Sequence, residues 1–337
     1  MSVKVDRVIS EPDIIDINKF NTTYHLQMST PKSFVAVAGA AGHLGSLIAL
    51  SLRQRKVAVK ALVRRGTAAS RTQTLRDAGV TIAEVEMTNV PSLTETLEGA
   101  STVVSALQGL RDVILDVQGA LLNAAVAAKV PRFIPSDYAL DFTKTVPGSN
   151  RNLDLRREFH RKLDEAGIRW TSIMSGGFME LLVSGQLPLI NDKWHRIMYF
   201  GSADQKLDFT TVPDAAAYTA AVAADPNPTP KVLRIAGDSF NSKELADVVS
   251  RVRGRKYTTL WMGSVGFLRM MIPILKFFIG GVEDKLLPPW QGIQYLENMV
   301  SGQGKLDPLD NDKYPDLVWT TVEQALKETD ADRAKST

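Results

Sequence analysis

The stretch "VAGAAGHLGSLIALSLRQRK", residues 37–56, places Gly39, Gly42 and Gly45 at three-residue steps where an apolar run ends. The run before it, "FVAVAG" (34–39), has no polar residue, as a central strand buried on both faces requires. "SLIALSLRQRK" behind it has helical spacing. A strand that turns on glycines and enters a helix can hold a dinucleotide pyrophosphate. The first glycine permits the sharp turn, the second lets backbone approach the phosphates, and the third lets helix pack closely on strand. The helix N-terminus then offers free N–H groups and a partial positive charge. On its own the string fits an ordinary strand–helix turn equally well, so its context decides.

That context is a rhythm of short β-branched runs and longer helical patterns from residue 33 to about 175, the signature of βαβ units around a parallel sheet. Further strands are predicted at "VAVKALVRR" (57–65), "VTIAEVEM", "STVVSAL" (101–107), "RFIPSDY" and "IRWTSIMSGGF", the last with a glycine-rich exit. A long amphipathic helix is expected over 113–129 and another at "RREFHRKLDEAG". Beyond residue 180 the rhythm loosens into loops and short strands. Helices are then predicted from Asp214 onward and from Ser242 onward. The apolar stretch 265–282 is interrupted by Arg269, Pro273 and Lys276, which leaves it short of a membrane span and suits a core or pocket-covering helix. The predicted fold is α/β, a Rossmann-type doubly wound parallel sheet with a smaller α+β C-terminal lobe. The divisions are an N-terminal extension (1–32), a nucleotide-binding domain (33–180) and a substrate lobe (181–330) interleaved with the sheet.

The end of the second strand refines the ligand. A carboxylate there accepts from a ribose 2′-hydroxyl, whereas arginine accommodates a 2′-phosphate. Nineteen residues after Gly45 stand Arg64 and Arg65, with no Asp or Glu between Gly42 and Arg65. A guanidinium can pair with a phosphate through two parallel hydrogen bonds, so NADP(H) is expected over NAD(H). Rival chemistries are poorly served. The chain has no cysteine, and its four histidines show no metal-ligand spacing, so no metal site is expected. No nucleophile elbow, zincin pair or Walker string is present. A net charge of +3 without a basic block argues against nucleic acid. "EPDIIDINKF" near the N-terminus is too charged for a secretory signal, so a cytoplasmic protein without membrane partners is expected.

The glycine turn, "ALVRR", "VVSALQG", "PRFIPSDYALDF", "EAGIRWTSI" and "GGF" occur in an order that resembles the NmrA-like, isoflavone-reductase-like group of atypical short-chain dehydrogenases, over roughly residues 33–330. The resemblance implies a cofactor site in which Gly39, Ala41, Gly42, His43, Leu44 and Gly45 hold the pyrophosphate and Arg64 and Arg65 hold the 2′-phosphate. It further implies that Ser105, Ala106, Leu107 and Gln108 line the ribose side, while Pro135, Ser136, Gly176 and Phe178 flank the nicotinamide. Asp137, Tyr138 and Phe178 are the implied substrate contacts. Reductases of the group carry a lysine eleven residues before the glycine of the E-x-G-I stretch, and here that position is Arg156. Arginine keeps the charge but does not release a proton near neutrality, so Arg156 would stabilise developing negative charge. Tyr138 is the candidate proton donor, although the Y-x-x-x-K pattern fails at Phe142. His160, one helical turn beyond Arg156, shares its face and suits either an exposed polar role or a proton relay. "EVEMTN" (84–89) stands where relatives show a Gly-Asp pair, which leaves the adenine contacts open.

The resulting expectation is an NADPH-dependent oxidoreductase, monomeric or homodimeric, that reduces a small apolar, aromatic, phenylpropanoid-like substrate. Phe178, Trp261, Trp290 and the 265–282 helix would supply an aromatic substrate wall. The alternatives are an NADP(H)-binding sensor without turnover and an epimerase- or dehydratase-type relative.

Overall fold

The computed structural model describes residues 33–279 and 285–336, so the extension predicted over 1–32 and residues 280–282 of the predicted helix lie outside the described residues. The chain opens with β1 (Phe34–Ala38), which enters α1 (His43–Gln54), followed by β2 (Ala58–Arg64), α2 (Gln73–Asp77), β3 (Thr81–Val85), α3 (Val90–Leu97) and β4 (Ala100–Ser105). One wide helical turn at Asp112–Val117 leads into α4 (Gln118–Ala127), then come β5 (Arg132–Ile134), α5 (Arg151–Glu165) and β6 (Arg169–Trp170). The six strands form one parallel sheet in the order β3-β2-β1-β4-β5-β6. This is the predicted doubly wound Rossmann-type sheet. Its order reverses between β1 and β4, and ligands of such sheets bind in the crevice outside the strand C-termini at that point.

Alternation along β1 shows why the strand reads as continuously apolar. Val35 and Val37 face the cluster that α1 covers, with Ile48, Ala49 and Leu52, while Ala36 and Ala38 face the opposite cluster with Leu93, Leu97 and Leu121. Both faces are dry, so no position of the strand can be polar without a buried partner. The same argument corrects the 113–129 prediction. α4 is buried around most of its circumference (Leu121, Leu122, Ala124 and Ala125 among others) and is not amphipathic, and the turn preceding it is π-wide.

The predicted sixth strand is three strands. β6 closes the main sheet, β7 (Ser172–Met174) pairs in parallel with β12 (Val232–Arg234), and β8 (Gly177–Phe178) joins β11 (Leu207–Thr210) and β13 (Asp238–Phe240). Between them lie α6 (Met179–Val183), β9 (Ile190–Asn191), β10 (Arg196–Tyr199) and α7 (Val212–Ala224). α7 starts at Val212 under a Thr211 cap, not after Asp214, because the Thr211 hydroxyl accepts from Asp214 N. Although α7 belongs to the C-terminal half, it packs along α1 and buries Ala216, Tyr218, Ala220 and Val222 in the same cluster. The chain continues through α8 (Ser242–Arg253), whose cap is Asn241 in a capping box with Glu244, and β14 (Thr258–Trp261), which pairs with β10.

α9 (Val265–Phe278), α10 (Pro289–Val300) and α11 (Val322–Ser336) complete the fold. Within α9 only Leu268 is buried, and Phe277 and Phe278 are 82% and 77% exposed. The described part of the helix expected to form core or cover the pocket adds only Leu268, with Val265 packed beside it, to the core; it packs on α10 with an apolar face outward. No helix among the described residues is long and apolar enough to cross a membrane.

Candidate active site

A cavity of about 1260 Å³ lies at the switch point, walled by the C-terminal ends of β1, β2, β3 and β4 and, from the other half of the chain, by β8, the loop after α6, and α10. It is large enough for a dinucleotide with a small apolar molecule beside it.

The glycine turn forms one wall exactly where backbone must touch backbone. Gly39 has φ +79°, and a Cβ there would lie 2.6 Å from Ala106 O on the loop after β4. A Cβ on Gly45 would lie 2.3 Å from Gly39 O. α1 begins at Gly42 with no side-chain cap and no acidic residue in its first turn, so its first N–H groups are left for a ligand. Gly39, Ala41, Gly42, His43, Leu44 and Gly45 all line the cavity.

Arg64 and Arg65 line it at the end of β2, joined by Arg71, whose Nη2 donates to Ala41 O at 3.0 Å and so ties the arginine loop to the glycine turn. Arg71 was not singled out in the sequence because it lies beyond the strand end, in a loop whose path only the fold reveals. Beside the arginines, at the end of the neighbouring strand β3, stand Glu86, Met87 and Thr88, with Thr88 Oγ1 donating to Glu86 Oε1 at 3.1 Å. Ala106, Leu107 and Gln108 follow β4 into the wall, and Val113 and Val117 reach it from the π-wide turn.

After β5, Ser136 lines the cavity with its hydroxyl donating to Leu107 O at 2.7 Å and its N–H donating to Gln118 Oε1. Three neighbours depart from expectation. Ser105 is fully buried with an unpartnered hydroxyl, because it is still a strand residue facing the sheet interior. Pro135 does not line the cavity either; its carbonyl accepts Asp137 N in a tight turn. Asp137, the expected substrate contact, is 1% exposed and turned away: its Oδ2 accepts from His160 Nε2 at 2.7 Å and from Ser172 Oγ at 2.6 Å. Tyr138 follows with φ +25°, a left-handed backbone that a non-glycine residue adopts only when its surroundings enforce it. Tyr138 contributes to the wall, but its hydroxyl is buried in the core against α7, and that burial pushes the phenol well above its ordinary range. A sealed hydroxyl with a raised pKa is not the proton donor the sequence suggested.

Arg156 does face the cavity. Its Nε donates to Asp137 O and its Nη1 to Asn152 O, both at 2.9 Å, so the guanidinium is held from two sides. Gly176 and Phe178 stand on the wall as predicted. The rest of this side, Leu140, Leu187, Phe209, Tyr295, Leu296 and Met299 among them, comes from segments too distant in sequence to associate by spacing. Of the predicted aromatic wall only Phe178 lines the cavity. Trp290 is buried beneath the Arg151 and Lys276 side chains, and Trp261 is 57% exposed. Among the described residues no group of three His, Cys, Asp or Glu side chains could hold a metal ion.

Residues 31–274 match the model of the NmrA-like family. The chain is similar to an isoflavone reductase homolog of Zea mays, 28% identical over 328 residues that cover 89% of this chain and 99% of that one. It is also similar to quinone oxidoreductase 2 of Escherichia coli K12, 26% identical over 66% of this chain and 76% of the relative. Among solved structures, a leucoanthocyanidin reductase–NADPH complex from Vitis vinifera superposes with a TM-score of 0.71 at 19% identity, over 88% of this chain and 99% of that one. Another solved structure, AtPrR2 with NADP+ and (+)pinoresinol, gives 0.72 at 21% identity over the same shares. These structural likenesses establish a shared fold.

Proposed function

The chain belongs to the NmrA-like family, and from that premise we propose that it is an NADPH-dependent reductase of a small apolar, aromatic, phenylpropanoid-like compound. The observation that carries this reading is one continuous cavity whose wall combines an uncapped helix N-terminus, three arginines, an apolar surface drawn largely from the C-terminal half and, facing the same space from α5, the Arg156 guanidinium. Relatives named as isoflavone reductase homologs and a pinoresinol-lariciresinol reductase support it. The residues fit the cofactor: the tight backbone packing at Gly39 and Gly45 holds the uncapped N-terminus of α1 at the cavity wall, where its N–H groups can meet a pyrophosphate, and Arg64, Arg65 and Arg71 offer donors to a 2′-phosphate. We propose the corresponding division into a cofactor-binding region at 33–180 and a substrate lobe at 181–330, interleaved through α7 and β12.

Bound NADPH supplies a hydride. The protein holds the reacting carbons together, and Phe178, Leu187, Phe209 and Met299 exclude water around them. Arg156 stabilises the negative charge that the substrate gains, with a guanidinium already oriented by Asp137 O and Asn152 O. The remaining phenol on the wall is Tyr295 on α10, which we assign as the proton source in place of Tyr138.

One observation favours a second reading, an NADP(H) sensor without turnover: arginine stands at position 156, where reductases of the group carry lysine. NADPH consumption by the purified protein across cinnamyl, vinylphenol, enone and quinone compounds separates the two. Oxidation of NADPH with any one of them supports the reductase. Binding of NADPH without oxidation by the whole panel overturns it.

A further inference from the structure

The reductase reading uses Arg156 but leaves unexplained what lies behind it: a buried carboxylate, a histidine and a serine, drawn from three elements, that meet at one oxygen. Asp137 follows β5, His160 lies on α5 one turn beyond Arg156, and Ser172 opens β7. His160 Nε2 and Ser172 Oγ both reach Asp137 Oδ2, at 2.7 and 2.6 Å, while Oδ1 has no hydrogen-bond partner. A carboxylate accepts only, so His160 donates through Nε2. Its ring is held between Phe142 and Trp170, with centroids 4.9 and 4.5 Å away, and its side chain is only 13% exposed. This is not the exposed polar histidine of an ordinary surface helix.

The same residue that receives these donors with its side chain receives Arg156 Nε with its backbone carbonyl, and the next residue, Tyr138, has the enforced φ of +25°. The position of the Asp137 carbonyl therefore depends on what anchors the Asp137 carboxylate. We propose that His160 and Ser172 are positioning residues: they clamp Asp137 so that its carbonyl aims the Arg156 guanidinium into the cavity. His160 does not touch the cavity wall, and its role is exerted entirely through Asp137. The inference rests on the reading that Arg156 serves the reacting ligand, but the clamp itself is a property of the fold. Removing His160 leaves a buried carboxylate with one donor, and the turn then relaxes to find another.

The test uses the full chain with arginine side chains labelled with 15N, and follows hydrogen exchange at Arg156 Nε, assigned by its loss in Arg156→Lys. With the clamp intact, Nε–H is protected by the Asp137 carbonyl. In His160→Leu its exchange is expected to rise at least tenfold, and in His160→Gln, which keeps a donor at similar reach, protection is expected to return. NADPH titration confirms that the variants fold. Unchanged exchange in His160→Leu overturns the proposal, whether or not any acceptor is reduced. Where the panel yields a substrate, His160→Leu is expected to lower kcat about 10- to 100-fold, the scale of a misplaced catalytic group, with KM for NADPH unchanged. It is expected to add little further loss in an Arg156→Leu background. Additive losses would mean that His160 acts elsewhere. An Arg156→Leu variant with full activity would instead refute the function assigned to Arg156 and leave the exchange result standing.

Discussion

Replacing Gly45 by alanine tests the cofactor site at its tightest point. The added Cβ would stand 2.3 Å from Gly39 O and 2.8 Å from its carbonyl carbon, where ordinary contact begins at 3.4 Å. Both atoms are backbone, so no side chain can swing away and α1 must lift from β1 by about 1 Å. Overpacking of this kind costs about 1–3 kcal/mol, and alanine's better helix propensity returns about 1 kcal/mol, so the fold should survive with a small loss of stability. Binding suffers more. The displaced groups are the uncapped N–H donors of α1, and a hydrogen bond to a charged group is worth about 1.5–3 kcal/mol. Misaligning one such bond predicts a rise in the Kd for NADPH of about 10- to 100-fold. Fluorescence titration of NADPH with a parallel thermal melt measures both quantities. Affinity within twofold of the wild type, in a protein that melts normally, would refute the claim that this turn holds the pyrophosphate.

Replacing Arg64 and Arg65 together by alanine should weaken NADPH about 100-fold or more while leaving NADH nearly untouched, as competition titrations would show; equal losses would contradict 2′-phosphate recognition. Tyr138→Phe should leave turnover within about twofold and cost stability no more than the weak contact of its buried hydroxyl with Thr219, about 1 kcal/mol; a large fall in kcat would restore Tyr138 as an acid. Tyr295→Phe should reduce kcat about 100-fold, in the range of general acid catalysis, and an unchanged kcat would point to water as the proton source. Burial raises the phenols of Tyr138, Tyr218 and Tyr314 above their ordinary value of 10.0. The folded state therefore keeps protons that the unfolded chain releases, so their contribution is complete below pH 10 and is lost as pH climbs beyond it. Each fully buried phenol adds a slope of up to about 1.4 kcal/mol per pH unit. Urea midpoints measured from pH 9 to 11.5 should be flat and then fall, and a midpoint that rises above pH 10 would contradict the burial of these rings.

Legibility in the sequence followed the range of the interactions. The glycine turn was readable because a strand, a turn and a helix N-terminus are contiguous, and Arg64 and Arg65 because a strand end has a known place in a parallel sheet. Arg71 was not, since its approach to Ala41 is made by a loop. Asp137 and Tyr138 were assigned to the crevice from their place after β5, but alternation stops where the strand stops. The tight turn at Pro135 sends one side chain toward α5 and the hydroxyl of the other toward α7. The 265–282 stretch misled for a different reason: apolar composition indicates burial only on average, and α9 keeps Phe277 and Phe278 in solvent. The run from Ile168 to Phe178 reads as one strand because all three pieces are extended. Which sheet each piece joins is set by partners some thirty to sixty residues away, behind it for β6 and ahead of it for β7 and β8.

The return of α7 to α1 has a practical corollary for anyone hoping to treat the coenzyme module as a cassette. Ile48, Ala49 and Leu52 of α1 share their cluster with Ala216, Tyr218 and Val222, supplied by a helix encoded some 160 residues downstream. A fragment ending near residue 180 would present that face bare to water and would be expected to aggregate, not to titrate. Grafting the C-terminal half of a relative to change its chemistry would likewise have to carry over a matching α7, since the scaffold's second half is also the roof of its first.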